Sequence, residues 1–327
     1  MPTLSDMPEV VMKEIMDNLD YRAILILRKV SHDLRNFIDD VQPEVHIKKM
    51  SVFANDNSVR IGLQESKTGI PIHIEYKKLE NQCLITSGWA GVMKQQKIED
   101  SDHMKLFCQD FEIILSHLKS TVLESLDFNA PEVPDMIAEV FKTKKTPLKV
   151  QILVLKSSNQ DQIMKVLPFI DANFLDKIII NPSNISQKEV WSIDRLVELE
   201  QWKKAKVMDM ISIFSTTSIT KYSPFWRANF YLDTVSTEDV VSLKEALLKP
   251  RPLRHIMIGY YNDAIEMGKL HEMLGSPYFE NEERKGDRGH WFWKIPDFHK
   301  ILRLRWDMCK SFSFCHVEAV PPGAILN

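Results

Sequence analysis

A chain of 327 residues, 44% of them hydrophobic, is long enough for one large domain plus a small one. Its formal net charge of −3 argues against nucleic acid as the main ligand, because phosphate binding wants a basic face. Only ten glycines are present, and neither G-x-x-x-x-G-K-[ST] nor G-x-G-x-x-G occurs, which leaves little for a phosphate-cradling loop.

From Leu4 to Ile38 three short apolar-periodic segments follow one another. Pro8 suits a first helical turn, where its missing N–H would be unbonded anyway. Asp20 and Ser31 are placed to cap the next two helices. Val11, Ile15 and Leu19 recur every four residues, Ile24 to Leu27 are all apolar, and the third segment carries Leu34, Phe37 and Ile38. Helices this short are marginal alone, and together they hold more apolar surface than they can hide among themselves. The surplus must meet the rest of the chain or a partner protein.

Met7-Pro8, Ile15, Leu19, Asp20, Leu25, Leu27, Val30-Ser31, Leu34 and Arg35 fall where an F-box has its "LP…IL..L…L.L..VS..LR" pattern. The segment resembles an F-box without a gap, with Met7 in place of the usual Leu, a volume-conserving exchange. The resemblance implies the helical hook by which an adaptor hangs on Skp1 in Skp1–cullin–F-box ubiquitin ligases. It makes Leu4, Met7, Pro8, Val11, Ile15, Leu19, Leu25, Leu27, Val30 and Leu34 the expected Skp1-binding residues.

After the break at Val41-Gln42-Pro43, alternating β-branched segments from His46 to about Thr86 predict antiparallel hairpins. Residues 101–120 return to helical spacing. A unit then recurs, with strands expected at 123–128, 149–155, 175–181 and 205–211. Their central residues Leu126, Leu153, Ile179 and Met208 are 27, 26 and 29 positions apart. Helices are expected between them, at 134–143, 160–170 and 187–202. Short apolar strands alternating with helices at a steady period suggest a leucine-rich-repeat-like α/β solenoid, although the strict leucine ladder is absent. Less regular units follow: strands at 225–235 and 254–261, helices at 236–248 and 264–274, and a strand-rich end.

The stretch Leu199-Glu200-Gln201-Trp202-Lys203-Lys204-Ala205-Lys206 resembles the "leQWK.AK" signature of the nematode FTH domain, and Trp293-Lys294-Ile295-Pro296 with Ile301-Leu302 resembles that domain's ending. This second resemblance implies a C-terminal domain that grips a partner protein. The fold class expected is mixed α+β and α/β: a three-helix F-box over 1–45, then a leucine-rich-repeat-like domain over 46–327.

Residues with chemical potential have plainer readings. Trp202 beside Lys203, Lys204 and Lys206 could be an aromatic-basic patch, but a Trp at a helix end usually anchors the core while the lysines suit the helix dipole. Trp291, Phe292 and Trp293 alternate faces on a strand, so core packing outweighs a stacking platform. The four cysteines Cys83, Cys108, Cys309 and Cys315 form no C-x-x-C pair, which suits a reduced protein in the cytoplasm or nucleus. Neither a metal nor another cofactor is expected, nor a membrane span, since no stretch approaches about 18 apolar residues. Asp6, Glu9 and Lys13 break up the start, so no signal peptide is expected.

The function expected is that of a non-enzymatic substrate adaptor, with Skp1 and cullin engaged through the F-box and a target protein through the C-terminal domain. The alternative is a scaffold that holds a regulatory protein, such as an RNA-binding translational regulator, without degrading it. An adaptor must hold its target away from the hook. Target binding is therefore expected at the charged loop bearing Glu282, Glu283, Arg284, Lys285 and Arg288, with the tail 309–327.

Overall fold

Pro8 does not enter the first helix but stands at its N-cap, and its carbonyl receives the amides of Val11 and Met12, each at 3.0 Å. Helix α1 (Glu9–Asn18) leads to α2 (Tyr21–Leu27) and α3 (His32–Val41). As the sequence suggests, the Ala23 amide donates to Asp20 Oδ1 (2.6 Å) and the Leu34 amide to Ser31 Oγ (3.2 Å). Both contacts satisfy amides that a helix start leaves free. A computed structural model describes residues 7–66, 69–118, 120–184, 188–279, 288–307 and 310–327. After the helices the chain is mostly sheet, and it divides into two compact units: Met1–Ser157 with Asp161–Leu175, and Ser158–Gln160 with Asp176–Asn327.

In the first unit, β1 (Ile47–Ala54), β2 (Ser58–Glu65), β3 (Pro71–Lys78), β4 (Gln82–Trp89) and β5 (Val92–Glu99) pair as successive antiparallel hairpins. Helix α4 (His103–His117) crosses to β6 (Leu123–Asn129), which runs parallel to β1. Helix α5 (Asp135–Thr143) connects β6 to its parallel neighbour β7 (Val150–Ser157), and a short α6 (Gln160–Ile163) follows. The order is β5-β4-β3-β2-β1-β6-β7. Alternation sends Met50, Val52, Leu126, Phe128, Leu153 and Leu155 inward. There a chain of rings joins strand to helix: Tyr76, Phe107, Phe111, Phe141 and Phe128 lie in sequence with centroids 5.2 to 6.0 Å apart. Such offset and edge contacts add to what burial alone contributes.

In the second unit, β8 (Lys177–Pro182), β10 (Val207–Ser215), β11 (Arg227–Ser236) and β12 (His255–Ala264) are parallel, and β9 (Glu189–Trp191) joins the far half of β10. The lower half of β10 pairs with β8 and its upper half with β9; between them the register with β11 shifts, and Ser212 adopts φ +58°. Helices α7 (Glu200–Lys204), α8 (Thr237–Leu247) and α9 (Met267–Leu274) accompany these strands. Strands β15 (Ser311–Val317), β14 (Ile301–Asp307) and β13 (Arg288–Lys294) complete the sheet antiparallel to β12 and to one another.

Two expected helices are corrected. In place of the helix expected over 187–202, residues 188–204 form β9, a turn and only the short α7. Ile193, Leu196 and Val197 mimic helical spacing but make a single turn, with the Ile193 amide tied to Thr217 Oγ1 (3.0 Å). Over 160–170 helix persists only to Ile163, because Pro168 sits in a separate 3-10 turn, Leu167–Phe169.

Candidate partner-binding face of the N-terminal helices

Helical spacing divides each short helix into an inner and an outer stripe. Met12 and Met16 of α1, Tyr21 and Ile24 of α2, and Leu34 and Ile38 of α3 are buried. The outer side of α1 carries apolar residues too, whereas that of α3 is polar, with His32, Asp33, Arg35, Asn36 and Asp40 exposed. Val10 of α1 is 78% exposed with Val11 open next to it in sequence, Met7 is open just before the helix, and Val30, in the connection between α2 and α3, is 65% exposed. Within α1, Val10 and Val11 precede Glu14 by four and three residues, the spacing that puts side chains together. Ile26 is also exposed, while Ile15, Leu19, Leu25 and Leu27 are half-buried between the stripes.

The inner stripe is pinned to the first unit. The Tyr21 amide donates to a carboxylate oxygen of the buried Glu65, and the Tyr21 ring meets His117 edge-on at 5.8 Å. Burial raises the Tyr21 phenol and lowers the His117 imidazole to about 4, so both are neutral near pH 7. Arg28 holds Asp39 through two hydrogen bonds, from Nε (2.6 Å) and Nη2 (2.9 Å), which ties the end of α2 to α3. The Arg22 guanidinium lies 3.8 Å over the Trp89 ring. The helices thus present a fixed outer surface rather than a loose appendage.

The expected docking residues separate on this frame. Met7, Pro8, Val11 and Val30 are exposed; Ile15, Leu19, Leu25 and Leu27 are partly accessible; Leu34 is covered by the chain itself; Leu4 lies outside the described residues. Val10 and Ile26 belong to the exposed surface and were not among those expected. Their signal was position: Val10 follows Met7 by three residues and adjoins Val11.

At the other end, Glu282, Glu283, Arg284 and Lys285 lie outside the described residues, and Arg288 opens β13 opposite Asp307. The tail is held by backbone pairing: the Asn327 amide donates to the Phe292 carbonyl and the Lys294 amide to the Asn327 carbonyl, both at 3.0 Å. Trp291, Phe292 and Trp293 are all buried, and Trp291 Nε1 donates to the Gly275 carbonyl (2.8 Å). Trp202 is buried against Tyr222 and Phe225 and donates to the Lys221 carbonyl (3.1 Å). Cys83, Cys108 and Cys315 are buried and free, and burial pushes Cys108 up to about 11, opposite to an activated thiol. Cys309 lies outside the described residues. Among the described residues no group of three or more His, Cys, Asp or Glu side chains could hold a metal ion.

Comparison with known proteins agrees with the two resemblances. The F-box domain family matches residues 4–46, which run from before α1 to just short of β1. The FTH domain family matches residues 131–273, which include Leu199–Lys206 but not the Trp293–Pro296 stretch. The chain is 24% identical to F-box A protein 224 of Caenorhabditis elegans over 299 residues, covering 86% of this chain and 72% of that protein. No solved structure matches. The chain carries an F-box domain at its N-terminus and an FTH domain C-terminal to it.

Proposed function

We propose that the chain is the substrate-recognition adaptor of a Skp1–cullin–F-box ubiquitin ligase. The outer face of α1–α3 docks on a Skp1-like protein, and through it on a cullin. The region beyond residue 46, whose central strands are read as a leucine-rich-repeat-like parallel array, holds a target protein. The observation that carries this reading is the set of open apolar residues, Val10 and Val11 on α1, Met7 just before it and Val30 in the connection between α2 and α3, in a segment that matches the F-box family. Solvent-facing apolar residues grouped on a rigid frame favour a protein partner. The chain itself performs no chemistry in this reading; it brings the target close to the ligase and orients it.

The test is reconstitution with a Skp1-like protein and a cullin. The full chain should co-elute with both, and a Val10→Asp/Val11→Asp chain should elute alone while keeping its folded spectrum. Proteins captured through the C-terminal region should turn over faster with the parent chain than with this variant. Equal turnover with both would favour the scaffold that holds its partner without degrading it, and failure of the parent chain to co-elute would remove the adaptor reading.

A further inference from the structure

The second unit contains a cationic cleft that the F-box does not account for. Three loops leading into β10, β11 and β12 are laced by backbone hydrogen bonds: the Trp226 amide donates to the Lys206 carbonyl (2.9 Å), and the Arg254 amide to the Trp226 carbonyl (2.8 Å). Lys203, Lys204, Lys206, Trp226 and Arg251, with two prolines, line a cleft of about 450 Å³ between them. The Arg254 guanidinium sits 5.3 Å over the Trp226 ring. Internal carboxylates answer part of this charge: Asp176 holds Lys206 at 2.7 Å, while Glu198 and Glu200 lie 3.7 and 3.8 Å from Lys203.

Arg251 has no such answer. Its Nε and Nη2 are buried and make no hydrogen bond. Burial lowers its affinity for the proton, and among the described residues no carboxylate offsets this. Arg251 in turn lowers the neighbouring His316, whose imidazole is pushed down first by burial and then by Arg251, Lys300 and His299. In Arg28 the same two nitrogens grip both oxygens of Asp39. That edge of a guanidinium matches two oxygens of one carboxylate or phosphate. A half-buried guanidinium with one edge buried and unpaired is costly, and here it borders a cleft whose other charged lining residues are lysines.

We propose that this cleft seats an anionic side chain, a carboxylate or phosphate, carried by an acidic segment of the partner protein. Arg251 turns its free edge to the anion, the lysines close around it, and Trp226 supports the segment's apolar portion. A protein segment fits better than nucleic acid, because the chain as a whole is acidic and the cleft is a single pocket rather than a basic stripe. The proposal deepens the adaptor reading, because it rests on the C-terminal region being the part that holds the partner.

The experiment is a fluorescence-anisotropy titration of the full chain with a short labelled Asp/Glu-rich peptide, its phosphoserine counterpart and its Asn/Gln counterpart. Either acidic peptide should bind saturably, the stronger of the two naming the anion, and the Asn/Gln peptide should not. Arg251→Leu should weaken acidic binding about tenfold or more, the scale of a lost charge-assisted pair, yet melt no lower than the parent because it removes a buried unpaired charge. Lys203→Ala/Lys206→Ala, changes at exposed positions, should weaken binding without altering the fold. The proposal is overturned if neither acidic peptide saturates, if both variants bind like the parent, or if a single-stranded RNA of equal charge binds as tightly. Skp1 binding by the same samples separates the two readings: intact Skp1 binding with no peptide binding removes this inference and leaves the adaptor.

Discussion

His117 shows what burial does to one titratable group. Both ring nitrogens are buried without a hydrogen-bond partner, and the ring rests against Tyr21 with Asp39 and Arg28 within electrostatic reach. Its folded value near 4 lies below the ordinary 6.5, so the unfolded chain takes up the proton first. The neutral ring's contribution is complete above pH 6.5, shrinks as pH falls, and is gone below about 4; integrated, it is worth about 3 kcal/mol. His117→Phe should therefore flatten the fall in melting temperature across that window, read as the difference from the parent so that carboxylate titrations common to both cancel. Parallel curves for the two proteins would mean that His117 charges without cost. Trp202 gives a second test at this scale. It is fully enclosed, so Trp202→Ala should cost about 3–5 kcal/mol in denaturant unfolding of the unit it occupies. The neighbouring Lys203→Ala should cost far less, because that side chain is half exposed.

Elements whose ends are marked by side chains are the ones legible in the sequence. Asp20, Ser31 and Pro8 announce α1–α3, and the alternating β-branched runs announce β1–β4. Ser236 announces α8, whose capping box is complete: the Asp239 amide donates to Ser236 Oγ (3.1 Å) and the Ser236 amide to Asp239 Oδ2 (3.0 Å). Ser236→Ala should lower stability by about 1 kcal/mol in a chemical melt, and an unchanged midpoint would show that the cap is idle. The elements that escaped notice did so for physical reasons. Strand β5 carries Lys-Gln-Gln-Lys in its middle and is exposed on both faces, so it has no apolar period to read. The turn after β9 places Ile193, Leu196 and Val197 at helical spacing, but all three are spent on burial in a non-helical turn. On the candidate site, pattern alone could not decide which apolar stripe meets the chain and which meets a partner. Leu34 and Val30 look alike in sequence, yet Leu34 shares the inner stripe of α3 with Ile38, while Val30 stands in the open connection before it.

For the whole molecule, the proposed adaptor uses the F-box helices as a fixed hook and the sheet-rich remainder as a holder. Tyr21, Glu65 and His117 fix the hook within the first unit, so its outer face needs little ordering when a partner arrives, which favours affinity. The central claim is that the open stripe of α1 is the docking surface. The measurement that tests it most directly is calorimetric titration of a Skp1-like protein into the full chain, its Val11→Asp variant and its Ile15→Asp variant. An anchoring apolar residue at such an interface is worth about 2 kcal/mol or more, so each variant should bind roughly thirtyfold more weakly or worse. Val11 is exposed in the free chain, so its variant should melt with the parent. Binding of the folded Val11→Asp chain with the parent's dissociation constant would contradict the account.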